Sequence, residues 1–229
     1  MALHLLSLAL AGILSFADYI TENIYSNKVR ANKKLISFSA GVAISYIVLN
    51  LFPEISQYAL IDGKEIFLYA LFGFVSLNLI EQYIHKGIKK PKTAYYHKSL
   101  HVVYFFIYNL FIGIVLVNFA AKGIAKTMLF FIPFLLYIII KIIPQEFGFK
   151  TSTFKIFYSL APLFGAVFGL VYYDFTSPMF SKMLAFITGT LLYTVIRESM
   201  PSDEAEKPLY FMVGALFYTL IILIGWNII

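Results

Sequence analysis

The stretch Phe38–Glu54, FSAGVAISYIVLNLFPE, has a counterpart in Phe186–Pro201, FITGTLLYTVIRESMP. Each begins with a Phe-x-x-Gly motif, and a proline follows the glycine after eleven residues; the two copies are offset by 148 residues. A second match, offset by 141 residues, joins Leu68-Tyr69 and Gly73 to Leu209-Tyr210 and Gly214. Two matches in register predict related units within one fold, although membrane helices can also share glycine and proline without being related.

The composition around these motifs is that of a membrane protein. Of 229 residues, 60% are hydrophobic and 13% charged, whereas soluble domains are typically about 25% charged. The mean hydropathy is +0.81. These values exclude disordered, collagen-like and ordinary soluble enzyme classes. The absence of cysteine excludes disulfides and thiolate metal sites. The net charge of +6 does not indicate nucleic acid, because the basic residues form short clusters between apolar runs.

Eight apolar runs are long enough to cross a bilayer, which takes about 20 residues for a helix. They predict an all-α polytopic membrane protein with a single transmembrane domain over 1–229 and short connections, the longest being 86–99 and 54–65. The first run carries Asp18 and Glu22, which favours a retained helix over a cleaved signal, although Leu8–Gly12 resembles a weak cleavage site. Runs 1 to 8 span approximately 4–24, 35–52, 66–85, 100–119, 127–148, 154–173, 183–200 and 209–229.

The distribution of Lys and Arg predicts the orientation, since cytoplasmic loops are enriched in both. With both termini outside, thirteen of the eighteen basic residues lie in inner loops and helix ends, four lie outside and Lys141 lies within a span. Run 2 then starts inside and run 7 starts outside, so the units of runs 1–3 and 6–8 are inverted around a central pair, runs 4 and 5. Inverted repeats are typical of secondary transporters. We expect an integral protein of the cell membrane.

Polar residues within the central pair are the candidate transport pathway, because polar groups at bilayer depth are costly and commonly functional. Lys141 is the most unusual of them, and Pro144 removes the hydrogen bond to the carbonyl of Ile140. A structural kink with a snorkelled lysine is the alternative. The pathway residues are Tyr108, Asn109, Lys141, Pro144, Gln145 and Glu146.

Other polar residues lie nearer the helix ends. His97 and His101 have the i, i+4 spacing of metal ligands and are candidate accessory ligands at the inner end, although two interfacial histidines are the favoured interpretation. We expect a further set to be interfacial or ion-paired: Asn50, Glu54, Asn78, Glu81, Arg197 and Glu198.

Several runs resemble helices of the ZIP (Zrt/Irt-like) metal transporters. Run 5, Lys141-Ile-Ile-Pro-Gln-Glu-Phe-Gly148, resembles the family's His-Glu-x-Pro-His-Glu-x-Gly signature, and run 4, Tyr108-Asn-Leu-Phe-Ile-Gly113, resembles His-Asn-x-x-Asp-Gly. Run 2 with its closing Leu51–Glu54, run 3 with Gly73-Phe74 and Glu81, and run 7 from Gly189 to Pro201 resemble the second, third and seventh helices. The resemblance implies a bundle of eight transmembrane helices in a 3+2+3 inverted repeat, outside termini and a homodimer in the lipid bilayer.

The resemblance also implies a buried metal centre on the fourth and fifth helices, and here the sequence departs from the family. At the matching positions stand Tyr108, Ile112, Lys141, Ile142 and Gln145. The candidate metal ligands that remain are Asn109, Gln145 and Glu146. Their side chains offer oxygen ligands, which favour hard cations such as Mn²⁺ or Mg²⁺ over Zn²⁺. A charged Lys141 at about 4 Å would oppose a dication by roughly 8 kcal/mol at an effective dielectric near 20.

Two hypotheses follow. In the first, the chain transports a divalent metal, its substrate, through an altered site. In the second, it is a degenerate ZIP-fold protein without metal transport, in which Lys141 occupies the former metal site and the chain serves another solute or a regulatory or partner role. An enzyme is not expected, since neither His-Glu-x-x-His nor Gly-x-Ser-x-Gly occurs, and no cofactor is required.

Overall fold

In the computed structural model, every described segment is helical or a short turn. The structure describes residues 2–24, 33–87, 91–140, 152–171, 177–199 and 208–227, and no strand occurs within these ranges. Among them, six helices are long and apolar enough to cross a membrane, which indicates an integral multi-span membrane protein. These are Leu3–Thr21, Lys33–Asp62, Ile66–Tyr83, Val102–Lys122, Pro178–Arg197 and Pro208–Trp226.

The helices follow the order of the predicted runs. They are α1 (Ala2–Ile24), α2 (Lys33–Tyr46), a first π turn (Ile47–Leu51), α3 (Phe52–Asp62), α4 (Ile66–Gly87), α5 (Pro91–Lys122), α6 (Ile124–Ile140), α7 (Ser152–Ser159), α8 (Ala161–Val171), α9 (Ser177–Thr194), a second π turn (Val195–Ser199) and α10 (Pro208–Trp226). Runs 5 and 6 correspond to shorter apolar helices, α6 and α7–α8, in the described part of the chain.

The predicted end of run 2 at residue 52 and the predicted connection over 54–65 are wrong. The helix continues through the first π turn into α3 and ends only at Asp62. Pro53 is the second residue of α3, so the helix passes through this proline and does not end at it. The preceding turn uses the wider π pattern, in which the Phe52 N–H donates to the carbonyl of Ile47.

The predicted connection over 86–99 is wrong as well. Helix α4 extends to Gly87, and α5 begins at Pro91, a residue favoured at the first helical position. No glycine or proline occurs between Pro91 and Gly113. The stretch 92–99 is polar but contains no helix breaker. The predicted run is shorter than the helix, because hydropathy follows polarity and not backbone conformation.

Run 6 is divided into α7 and α8 at Leu160. Pro162 has no N–H to donate, and the next N–H, that of Leu163, donates to Ser15 Oγ on α1 at 3.3 Å. The bonds Leu160 N to Ile156 O (3.1 Å) and Phe164 N to Leu160 O (2.9 Å) still link the two helices. The division is thus a local change in hydrogen bonding that ties run 6 to α1.

Glycines set the closest helix crossings. A Cβ on Gly41 of α2 would clash with the carbonyl of Phe211 on α10, and one on Gly214 of α10 would clash with the carbonyl of Phe38 on α2. The same holds between α4 and α9, where Gly73 faces Phe186 and Gly189 faces Ala70, and between α5 and α8, where Gly113 faces Pro162 and Gly165 faces Leu110. Three helix pairs therefore approach backbone to backbone, a packing mode common between membrane helices.

The contacts of α2 with α10 recur between α9 and α4. Adding 148 to an α2 number and subtracting 141 from an α10 number converts each contact into its counterpart. Residue numbers rise together along both pairs, so α2 is parallel to α10 and α4 is parallel to α9. The contacts are Lys34–Tyr210, Phe38–Gly214 and Ser45–Thr219 in the first pair, and Lys182–Tyr69, Phe186–Gly73 and Tyr193–Asn78 in the second.

The buried centre of the bundle is aromatic where α2, α6 and α10 meet. The ring of Tyr46 packs edge-on against Phe130, Phe134 and Tyr218, with centroids 6.2–6.5 Å apart. The Tyr218 hydroxyl donates to the carbonyl of Leu129 at 2.7 Å. This bond satisfies the Tyr218 hydroxyl, which has no hydrogen-bond partner in surrounding hydrocarbon.

Candidate functional site

The structure describes only part of the predicted pathway. Lys141, Pro144, Gln145 and Glu146 lie outside the described residues. His97 and His101 belong to α5, but their side chains are also outside the description. Tyr108 and Asn109 are described in full, one helical turn past Tyr104 on the same helix. The candidate site is therefore built from α5 and the helices that cover it.

Tyr108 and Asn109 are deeply buried polar residues. Tyr108 is fully buried, and Asn109 is 1% exposed. The Tyr108 ring packs edge-on against Phe105 and against Tyr137 of α6, with centroids 6.1 and 6.2 Å away. Within the described part of the chain, neither its hydroxyl nor either amide atom of Asn109 has a hydrogen-bond partner. A buried amide without a partner is costly and is commonly reserved for a ligand or a water.

Helix α1 brings a carboxylate into the same bundle. Asp18 is 1% exposed, and α1 contacts α5, α6 and α8. Among the described residues, however, no group of three or more His, Asp or Glu side chains is arranged to hold a metal ion. Of the three predicted metal ligands, Asn109 alone falls within the description.

The unpartnered amide leads to a stability prediction. We expect Asn109→Leu, which is similar in volume, to raise the stability of the protein in detergent by about 1–3 kcal/mol, the usual cost of an unsatisfied buried group. Tyr108→Phe removes one hydroxyl and should stabilise by a smaller amount in the same direction. Thermal unfolding followed by circular dichroism measures both. A fall in the melting temperature for Asn109→Leu would show that the amide has a structural partner.

A second polar cluster joins α4, α5 and α9. The Tyr104 hydroxyl donates to the carbonyl of Gly73 at 3.0 Å and lies 2.7 Å from Thr190 Oγ1. Ser76 Oγ is 3.2 Å from the same hydroxyl. Tyr104 lies in run 4 of the predicted central pair, whereas no sequence motif marks Thr190 or Ser76. Because every member is satisfied by another, this cluster is a structural tie between the central helix and the α4–α9 pair.

Arg197 and Glu81 form an ion pair at the end of the α4–α9 pair, as expected for polar residues near the helix ends. The guanidinium also donates to the Tyr193 hydroxyl at 2.6 Å. That hydroxyl donates to Glu81 Oε2 at 3.0 Å, so three side chains share one network. The side chain of Glu81 is only 12% exposed. Arg197 lies in the second π turn, at the position equivalent to Leu49 in the first.

A cavity of about 400 Å³ opens beside the first π turn. Its wall includes Asn50 of the π turn, Glu54 and Gln57 of α3, Lys126 of α6 and Trp226 of α10. Glu54 was expected to be interfacial or paired, and it pairs with Lys122 at 2.8 Å. Sequence analysis missed the cavity, because its residues come from four separate segments of the chain.

No protein-family model matches the chain, and no curated protein matches it.

Proposed function

We propose that the chain is a membrane transporter built as a 3+2+3 inverted repeat like that of the ZIP family. The observation that carries this proposal is the recurrence of the α2–α10 contacts between α9 and α4. Helix α3 ends beside the start of α9, where Ser181 Oγ donates to Asp62 Oδ2 at 2.7 Å, and α2 contacts the second π turn. The equivalent segments α2 and α9 are therefore antiparallel, as inversion requires.

The finer features of the architecture belong to the same proposal. Eight crossings follow if α6 and α7–α8 span the bilayer with the six longer helices. The bias of Lys and Arg supports outside termini and the cell membrane, and the ZIP resemblance supports a homodimer. In this arrangement α5 and α6 form the central pair, which is where inverted-repeat transporters hold their cargo.

The proposed cargo is a divalent cation that accepts oxygen ligands. Support comes from the resemblance of runs 4 and 5 to the family's metal helices and from the Asn109 amide, which is buried without a hydrogen-bond partner in the described chain. Its carbonyl oxygen would act with Gln145 and Glu146 as a hard donor set, suited to Mn²⁺ or Mg²⁺.

The second candidate is a ZIP-fold protein that transports no metal, with Lys141 in the former metal site. The observation that favours it is the charge beside the cavity, where Lys122 and Lys126 face a single carboxylate, Glu54. A positively charged surface opposes the approach of a dication. Such a protein would serve another solute or a partner.

Metal flux separates the two candidates. The purified protein is reconstituted into liposomes loaded with a fluorescent chelator, and Mn²⁺, Zn²⁺, Fe²⁺, Co²⁺ and Cd²⁺ are offered in turn. For a transporter we expect uptake that Asn109→Ala or Glu146→Ala lowers by at least about tenfold, the scale of losses when groups at metal sites are removed.

Asn227→Ala is the matched control, because Asn227 is exposed at the end of α10 and bonds only locally, to the Leu223 carbonyl. No uptake by a folded parent would reject metal transport. Uptake gained only by Lys141→Ala would identify the lysine as the plug of the second candidate.

A further inference from the structure

The cavity beside the first π turn has a charge imbalance that the proposed transport pathway does not use. Glu54 is its carboxylate, and Lys122 neutralises it through the 2.8 Å contact between Nζ and Oε1. Lys122 is held in place as well, because its ammonium donates to the Tyr58 hydroxyl at 2.5 Å and lies over the Tyr58 ring, 4.9 Å from the centroid. The Glu54–Lys122 pair is thus neutral and fixed.

Lys126 supplies a second positive charge to the same cavity. Its Nζ lies 3.9 Å from Glu54 Oε2, which is outside hydrogen-bond range. The oxygen that would neutralise it already belongs to the carboxylate paired with Lys122. Among the described residues, two ammonium groups, that of Lys126 in the cavity wall and that of Lys122 beside it, therefore face one carboxylate, and the Lys126 ammonium has protons available to an acceptor.

The remaining walls indicate what kind of acceptor fits. Asn50 and Gln57, whose side-chain amides can donate hydrogen bonds, also line the cavity, together with the apolar Leu129 and Trp226. Trp226 is half exposed at the end of α10, so the cavity opens where an aromatic residue marks the bundle surface. A volume of about 400 Å³ lies in the range of small-ligand pockets.

We propose that this cavity binds the anionic headgroup of an amphiphile, with Lys126 as the recognising charge and Trp226 beside the start of the acyl chain. The headgroup is a monoanionic phosphate or carboxylate, which accepts charge-assisted hydrogen bonds from the ammonium and the amides. Its source is either an anionic phospholipid of the bilayer or a free fatty acid. The proposal does not rest on metal transport, since it uses none of the pathway residues.

Trp226 provides the measurement, because it is the single tryptophan of the chain. The protein is reconstituted in phosphatidylcholine, and tryptophan fluorescence is titrated with dibrominated phosphatidylglycerol, dibrominated phosphatidylcholine or dibromostearate. We expect an anionic quencher to reach half-quenching at about fivefold lower mole fraction than the zwitterionic one, the factor that corresponds to one lysine near a charged headgroup. If the brominated phosphatidylglycerol alone shows this shift, the ligand is a bilayer lipid. If dibromostearate shows it, the ligand is a free amphiphile.

Lys126→Gln should abolish the shift, and Lys126→Arg should retain it. Lys64→Gln is the matched control, because it removes the same charge from the exposed turn between α3 and α4. Equal quenching by all three amphiphiles overturns the proposal, and so does a shift that persists in a folded Lys126→Gln variant. If that variant does not fold, a competition experiment on the parent replaces it: excess unbrominated phosphatidylglycerol and fatty acid are added, and the shift should disappear. A shift that this competition leaves unchanged also overturns the proposal.

Discussion

We expect Gly189→Ala to lower the melting temperature of the protein in detergent by about 6–12 °C, because Gly189 lies at the close crossing of α4 with α9. The added Cβ meets the backbone of Ala70 and Phe74, neither of which can rotate away. Overpacking of this kind costs about 3 kcal/mol, and for a chain of this size each kcal/mol shifts the midpoint by about 2–4 °C.

Gly12→Ala is the control for this prediction. Gly12 also lies within a helix, α1, but no heavy atom lies within 4 Å of the position that its added Cβ would take. Alanine is the better helix former by about 1 kcal/mol, so this substitution is expected to be neutral or slightly stabilising. Gly41→Ala, at the equivalent crossing of α2 with α10, should cost about as much as Gly189→Ala. Unchanged melting of Gly189→Ala would contradict the backbone contact.

Arg197→Gln is the second substitution with a large expected effect. It leaves the Glu81 carboxylate, whose side chain is 12% exposed, without its counter-charge. Removing one partner of a buried pair costs about 3–5 kcal/mol, and the partial exposure of Arg197 places the expected loss at the lower end. The Tyr193 hydroxyl remains as a donor to Glu81 and limits the loss further.

A double-mutant cycle tests the coupling. Glu81→Gln combined with Arg197→Gln should restore part of the stability lost in Arg197→Gln alone, because no unpaired charge then remains. Arg197→Lys, which keeps the charge, should fall between the parent and Arg197→Gln. Additive effects of the two Gln substitutions would show that the ion pair contributes nothing.

Hydropathy located the apolar runs but placed several helix ends wrongly. The predicted end of run 2 falls just before Pro53, but the helix continues through this proline with a π turn over the residues before it, and membrane helices tolerate proline through such local adjustments. The error over 86–99 has a different cause, because polar residues mark the membrane boundary and not the end of a helix. The Phe-x-x-Gly motifs predicted related units, and the structure places both of their glycines at close helix crossings, which the sequence analysis did not predict.

The candidate site was predicted in part. Asn109 and Tyr108 are buried as their position in an apolar run implies, whereas the metal ligand set of Asn109, Gln145 and Glu146 stays a prediction because two of its members lie outside the described residues. The cavity could not be predicted. Lys126 and Trp226 are distant in sequence, and only the packing of α6 against α10 brings them to one wall.

The two π turns bear on how the chain arose. Each accommodates one residue more than an α-helical turn of the same hydrogen-bonded length, and they occupy 47–51 and 195–199, the same register under the 148-residue offset. Independent insertions would have had to strike equivalent positions twice. Under the proposed inverted repeat, a single insertion in an ancestral three-helix unit, followed by duplication, accounts for both. Under the same proposal, arginine at 197 opposite leucine at 49 is a difference that the two copies acquired after the duplication.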